Sequence, residues 1–247
     1  MNELVSFIFV NRGGKHLREA IQNIKDIYSD LNKEIIVIEQ DDAMPFMRGQ
    51  LFNIGVKYAK GTYIALSDND IFHLRKVDWI DIHECCNCPI IGWQWISQVS
   101  LNGSHAKITS TKEIKGGFGA FNFMKKSEFI SFNGFSNLFI GYGCEDKLYA
   151  TRFSYIRVPQ NLGHITHPSH RNMNPKNLEY NIELATRYVN KIDKAKDGVA
   201  QTTFHENENV IINGVRYIKV SNISVTPDYS YANLLDKHYK LLNGGKK

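Results

Sequence analysis

"TYIALSDND", residues 62–70, decides how the chain is read. Thr62–Leu66 is a short apolar run of the kind that forms a strand buried on both faces. It delivers two carboxylates, Asp68 and Asp70, on either side of Asn69. Taken alone, "DND" is a turn, because Asp and Asn bond their own backbone in turns. It is equally a clamp for a metal or a nucleotide. The choice rests on what the rest of the chain brings to the same place.

Upstream, strand and helix alternate. "LVSFIFV" (Leu4–Val10) is a continuous apolar run, and Leu17, Ile21, Ile24, Ile27, Tyr28 and Leu31 recur at helical spacing across residues 15–31. "EIIVIE" (Glu34–Glu39) is a second buried strand. Residues 48–59 place Leu51, Ile54, Gly55 and Tyr58 on one helix face. This β-α-β-α-β order predicts a parallel sheet with right-handed crossovers. Such sheets bind ligands beyond the carboxyl ends of their strands. There "NRGGK" (Asn11–Lys15) and "EQDD" (Glu39–Asp42) join "DND", which shifts the reading from turn towards site. The expected fold is α/β, a Rossmann-like, mostly parallel central sheet flanked by helices.

Downstream the pattern loosens. "IIGWQW" (Ile90–Trp95) reads as a strand, residues 97–114 as a polar hairpin or loop, and "KGGFGAFNF" as the lead into a short helix. "GYGCEDKLYATRF" opens another helix, "YIRV" is a short strand, and residues 175–193 are amphipathic through Leu178, Ile182, Ala185 and Val189. "VIINGVRYIKV" is a hairpin turning at Asn213-Gly214. A helix with a basic tail is expected over residues 227–247. The chain reads as one domain in three parts: the β-α-β-α-β half (1–75), the looser stretch that follows (76–213) and a hairpin strand with tail (214–247).

With 30 basic and 25 acidic residues among 247, the surplus of +5 is too small for a nucleic-acid binder. The first apolar run spans seven residues, too short for a signal h-region or a membrane span. A cytoplasmic location follows as the expectation, with contact to a membrane limited to its periphery. Three of the four cysteines crowd into "HECCNC" (Cys85, Cys86, Cys88, after His83), and the fourth is Cys144. One short segment wraps a tetrahedral zinc poorly, so free thiols are the better reading.

Three further stretches carry chemistry. Glu145 and Asp146 follow the glycine-spaced aromatic Gly141-Tyr142-Gly143; glycines admit a ligand close to the backbone, and the ring offers a stacking face for a sugar. Carboxylates opening a helix also serve simply as caps. "GHITHPSH" offers His164, His167 and His170, and two imidazoles three residues apart can share one cation with the "DND" carboxylates. In "PFMRGQLFNIG" (Pro45–Gly55), Arg48 opens a helix near the second strand's end and can meet a nucleotide.

Together, "NRGGKHL", "PFMRGQLFNIG", "ALSDND", "KGGFGAF", "FNGFSNLFIGYGCED" and "GHITH" resemble, in order, the motif series of the β-1,4-galactosyltransferases, glycosyltransferase family 7, with its bacterial capsule-polymerase relatives. The resemblance runs over about residues 4–213, and "DGVAQTTF" (Asp197–Phe204) is similar to the family's last motif. It implies a GT-A type fold and an inverting transfer of Gal or GalNAc from a UDP-sugar to a glycan or lipid-linked glycan. It also implies a divalent cation, Mn²⁺ or alternatively Mg²⁺. Residue by residue, it implies Asp70, His164 and His167 as metal ligands and Asp146 as catalytic base, with Glu145 its acidic neighbour at the sugar. Arg12, Arg48, Asp68, Ile114, Gly117 and Tyr142 are implied on the donor side. The sequence departs from the family at Tyr142 (a tryptophan in relatives), Cys144 (a glycine), Lys147 (an acid) and His164 (a methionine in animal members). Ile114 stands where galactose-using members carry tyrosine and N-acetylgalactosamine-using members a smaller aliphatic residue. A non-catalytic sugar- or nucleotide-binding module on the same fold is the rival reading. A Rossmann dehydrogenase is excluded, since "NRGGKH" lacks the Gly-x-Gly-x-x-Gly fingerprint.

Overall fold

The computed structural model describes residues 3–93, 95–102, 104–113, 119–141, 143–158, 165–166, 175–188 and 194–224. Strand β1 (Val5–Asn11) lies between β2 (Lys33–Gln40) and β3 (Tyr63–Asp68), parallel to both, with helices α1 (Leu17–Ile27) and α2 (Arg48–Tyr58) as the crossovers. The expected β-α-β-α-β unit is therefore present. The first helix is shorter at both ends than its apolar spacing suggested.

Strand alternation explains why these segments are continuously apolar. Val5, Phe7 and Phe9 of β1, Ile35 and Val37 of β2 and Tyr63 and Ala65 of β3 enter one core with α1. Ile8 and Val10, Ile36 and Ile38, and Ile64 and Leu66 enter a second core on the opposite face with α2. Each strand is thus buried twice, and each large side chain contributes about 1.5–3 kcal/mol. Helix α2 is buried on every side from Gly49 to Val56. Gly55 makes that possible: a Cβ there would sit 2.4 Å from Ile8 Cγ2.

The rest of the sheet comes from distant segments. After β4 (Phe72–His73) and α3 (Trp79–Cys86) come β5 (Ile90–Trp93), β6 (Trp95–Asn102), β7 (His105–Glu113), β8 (Phe121–Lys125), α4 (Lys126–Ser131), α5 (Glu145–Ala150) and β9 (Ile156–Val158). Then β10 (Ile165–Thr166), α6 (Pro175–Glu183) with a π-helical turn Leu184–Tyr188, β11 (Thr203–Ile212) and β12 (Val215–Ser224) complete the order. The central sheet runs β11-β12-β2-β1-β3-β8-β5-β9, and a smaller sheet runs β4-β10-β6-β7. Of the seven contacts in the central sheet, β12–β2, β2–β1, β1–β3 and β5–β9 are parallel.

Several sequence expectations are refined. "IIGWQW" is two strands in two sheets, β5 and β6. Part of "KGGFGAFNF" is itself a strand: β8 lies antiparallel between β3 and β5. The helix expected over 175–193 passes into its π-helical turn at Leu184, and residues 189–193 lie outside the described residues, as does the C-terminal helix expected over 227–247. The Asn213-Gly214 turn forms with φ of 51° and 74°, the double left-handed geometry of a two-residue hairpin. That hairpin pairs β11 with β12 and docks β12 parallel to β2. No helix among the described residues is long and apolar enough to cross a membrane.

Candidate active site

The three parallel strands end together, and asparagines staple their ends. Asn11, the last residue of β1, accepts through Oδ1 from Gly14 N (2.9 Å) and from Asn69 Nδ2 (2.9 Å), and its own Nδ2 donates to Glu39 Oε1 (3.4 Å). The loop after β1 and the "DND" loop therefore touch. A Cβ on Gly14 would fall 1.9 Å from Asn69 Nδ2, which is why "NRGG" needs its second glycine. Arg12 is exposed on this edge, reaching Asp42 O at 3.5 Å.

Arg48 is the hub. Its Nε donates to Asp68 Oδ1 at 2.7 Å, its Nη1 to Glu145 Oε1 at 3.2 Å, and its Nη2 to the carbonyl of Gly119. The guanidinium also lies 4.8 Å from the Phe52 ring centroid. One planar fork thus ties the "DND" loop, the end of the "KGGFGAF" stretch and the "GCED" helix together, a geometry a lysine ammonium cannot reproduce. Burial works against the Arg48 charge, but Asp68, Glu145 and Asp146 outweigh it and raise its pKa. Burial pushes the Glu145 carboxyl up to about 7; Arg48 opposes this, while Asp146 and Asp68 add to it. Glu145 Oε2 is buried without a hydrogen-bond partner among the described residues.

Asp146 is half-buried on the first turn of α5. Its Oδ1 accepts from Lys147 N at 2.8 Å. Its Oδ2 faces Gly119, 3.2 Å from where a Cβ would stand. One oxygen is held by backbone, and the other looks across a glycine.

The loop that delivers Glu145 and Asp146 is buried, so its backbone needs partners. Side chains from α2 supply them. Gln50 Nε2 donates to Asn137 O and Phe139 O, both at 2.9 Å, and Asn53 takes Phe135 N (2.9 Å) and Phe135 O (2.9 Å). From the far side, Asp197 Oδ1 accepts from Asn137 N (2.7 Å), and its Oδ2 pairs with Arg152 Nη2 at 3.2 Å. Asn181 holds Ile140 through both of its backbone groups. Gly134 has φ of 60°, and a Cβ on it would lie 2.4 Å from Asn53 Oδ1. The Phe135 ring stacks on Tyr149 of α5 with centroids 3.9 Å apart. "RGQLFNIG" and "NGFSNLFIG" are thus two halves of one buried polar joint, with Arg48 at its site-facing end. Sequence reading missed Gln50, Asn53, Asn137, Asp197 and Arg152. The signal available was uncharged amides interrupting the apolar face of a helix that is hydrophobic on either side of them.

Cys144 sits just before α5 with φ of 71°, a left-handed conformation that suits glycine. Cys85 and Cys86 are exposed, Cys88 is half-buried, and all four thiols are free. His83 is buried and engaged with Glu128 Oε2 at 2.8 Å, leaving that cluster without its histidine.

Asp70 is 4% exposed, two residues before β4. Strand β4 pairs antiparallel with β10, Phe72 opposite Thr166 and His73 opposite Ile165. Ile165 and Thr166 are the two residues between His164 and His167, so the pair between the histidines lies beside β4, which begins two residues after Asp70. His164 and His167 themselves, with Ile114, Gly117 and Tyr142, lie outside the described residues. Among the described residues, no group of three His, Cys, Asp or Glu side chains is arranged around a metal.

Residues 100–171 match a family model described as the N-terminal domain of galactosyltransferase. The match covers less than a third of the chain, and over that stretch the chain is similar to galactosyltransferases. The catalytic domain of Drosophila β1,4-galactosyltransferase 7, solved with xylobiose, superposes on this chain with a TM-score of 0.67 at 18% identity, covering 94% of this chain and 98% of that one. A mutant of the same fly enzyme, solved with manganese, UDP-Gal and xylobiose, gives 0.62 at 18% identity over the same shares. GalNAc-T7, solved with UDP, GalNAc and Mn²⁺, gives 0.52 at 11% identity, covering 74% of this chain and 48% of that one. At these identities the likeness shows a shared GT-A type fold.

Proposed function

We propose that this protein is an inverting, metal-dependent glycosyltransferase that moves GalNAc or Gal from a UDP-sugar to a glycan acceptor, forming a β-linkage. The observation that carries this reading is the meeting of Asp68, Glu145 and the half-buried Asp146 around a single guanidinium, Arg48, at the strand ends. A binding module has no need of a carboxylate base there. The fly enzyme, whose fold this chain shares, was solved with manganese, UDP-Gal and a disaccharide.

The charge balance of the described site favours a divalent cation. Carboxylates outnumber cations in the described site, so an anionic diphosphate needs a counter-charge to enter. Asp70 would hold the cation together with His164 and His167, an oxygen and imidazole set that suits Mn²⁺, with Mg²⁺ as the alternative. When bound, the cation neutralises charge developing on the leaving diphosphate.

The chain's own groups do the rest. Arg48 and Asp68 would orient the donor, and the family resemblance assigns Arg12, Gly117 and Tyr142 to the donor side as well. Asp146 Oδ2 takes the proton of the acceptor hydroxyl as it attacks the anomeric carbon opposite UDP. One displacement inverts that carbon, so an α-linked donor gives a β-linked product. A general base of this kind is worth about 10²–10⁴-fold in rate. Ile114 favours GalNAc over Gal, since an aliphatic residue leaves room for the N-acetyl group, whose methyl gains about 0.8 kcal/mol on burial. Ile114→Tyr should then turn preference towards UDP-Gal. The acceptor is a glycan, free or lipid-linked. The four free thiols accord with a reducing, cytoplasmic setting.

Asp146→Asn tests the reading against a non-catalytic module. Transfer from the UDP-sugar should fall by at least about 10²-fold with UDP affinity unchanged. Unchanged turnover would remove Asp146 from its role. A wild type that binds UDP yet transfers nothing would favour the module.

A further inference from the structure

Asn23 lies on α1, 4% exposed and away from the Arg48 hub. Its neighbours on the buried face of α1 are apolar: Ala20, Ile21 and Ile24. A buried amide there must satisfy its own polar atoms, and it does so on the smaller sheet. Its Oδ1 accepts from His73 N at 2.7 Å, and its Nδ2 donates to His73 O at 3.0 Å. One side chain thus takes both backbone groups of His73, as a neighbouring strand would. The same Nδ2 lies 3.2 Å from Ser104 O, in the turn between β6 and β7, and Ser104 Oγ donates to Asp26 Oδ2 at 2.9 Å.

These contacts hold β4, which flanks β10 on one side, and the turn that ends β6, the strand on its other side. Strand β10 has only two residues, pairing with β4 on one side and β6 on the other. So short a strand takes its position from its neighbours. His73 is held besides by its ring, with Tyr28 Oη 2.8 Å from Nδ1 and Trp79 Nε1 donating to Tyr28 Oη at 2.7 Å.

We infer that Asn23 is a positioning residue that fixes β4 and the β6–β7 turn to α1, and so sets where β10, the pair between His164 and His167, lies relative to Asp70. The inference rests on the proposed metal-dependent transfer. The Asn23 side chain bonds the backbone of His73 and Ser104, and it acts through the backbone of His73. Losing it should weaken metal binding and leave metal-free UDP affinity, set by the Arg48 edge, unchanged.

The experiment compares wild type, Asn23→Ala and Asn23→Asp, the last keeping the acceptor for His73 N–H. Two readouts are taken on folded protein: amide hydrogen exchange in peptides covering residues 70–75 and 163–168, and Mn²⁺ affinity with UDP present, by electron paramagnetic resonance. In Asn23→Ala, exchange in both peptides should speed up together and the Mn²⁺ Kd should rise on the order of tenfold, with Asn23→Asp intermediate. Unchanged exchange at 163–168 in folded Asn23→Ala would overturn the positioning role. Faster exchange with an Mn²⁺ Kd within about twofold of wild type would overturn its link to the metal. A wild type that binds no Mn²⁺ would instead overturn the proposed metal dependence, while the exchange data still judge the mechanical role of Asn23.

Discussion

Replacing Asn53 with alanine should unseat the loop that carries the proposed base, and the structure sets the size of the effect. Asn53 Nδ2 donates to Phe135 O, Asn137 Oδ1 (3.1 Å) and Thr202 Oγ1 (3.2 Å), and its Oδ1 accepts from Phe135 N. Asn137 Oδ1 and Thr202 Oγ1 keep each other at 2.8 Å when Asn53 is lost. The two backbone groups of Phe135 lose the side chain that holds them, in a position where the residue is fully buried. Each such group costs about 1–3 kcal/mol, so the change should cost roughly 4 kcal/mol in all. For a chain of this size 1 kcal/mol moves the melting temperature by about 2–4 °C, giving a fall of roughly 10 °C. Thermal unfolding followed by circular dichroism reads this directly, and turnover below the transition should drop as well because Asp146 rides on the same loop. A fall of under about 3 °C would mean that Phe135 finds other partners, and the buried joint between α2 and this loop would not hold the site.

Arg48→Met leaves Asp68 and Glu145 without their shared cation and should cost about 3–5 kcal/mol in urea titration, with donor affinity lost alongside. Because burial raises the Glu145 pKa from 4.5 to about 7, the folded state binds that proton more tightly than the unfolded chain. Its contribution is fully present below about pH 4.5 and is lost as pH rises through 7. Melting temperatures across that window should therefore fall more steeply for wild type than for Glu145→Gln, and parallel curves would refute the shift. Cys144→Gly should be close to neutral in melting temperature, since relief of the left-handed backbone offsets the lost thiol burial. Cys144→Val should instead cost about 2 kcal/mol at the same position.

The parts of this fold legible in sequence are those set by local periodicity. Val5–Asn11, Lys33–Gln40 and Tyr63–Asp68 are apolar on both faces because both faces are covered, and Asn213-Gly214 needs only two residues to announce its turn. Long-range choices were not legible. Nothing local in "FNFMK" says that it lies antiparallel between β3 and β5, or in "VRYIKV" that it docks beside β2. Strands β4 and β10 are two residues each and carry no periodic signal at all. Within the site, Asp68, Arg48, Glu145 and Asp146 could be named in advance because charged groups clustered at strand and helix ends. Asn53, Gln50 and Asp197 could not, because their task is to satisfy buried backbone, and only the folded chain shows which backbone that is.

The central claim is that Arg48, Asp68, Glu145 and Asp146 form a metal-dependent UDP-sugar transferase site. The most direct measurement is UDP release from UDP-GalNAc, UDP-Gal, UDP-Glc and UDP-GlcNAc, with Mn²⁺ or with EDTA. UDP should be released with Mn²⁺ from UDP-GalNAc first and UDP-Gal second, and EDTA should abolish the release. Release that persists undiminished in EDTA, or turnover confined to the two gluco-configured donors, would contradict it.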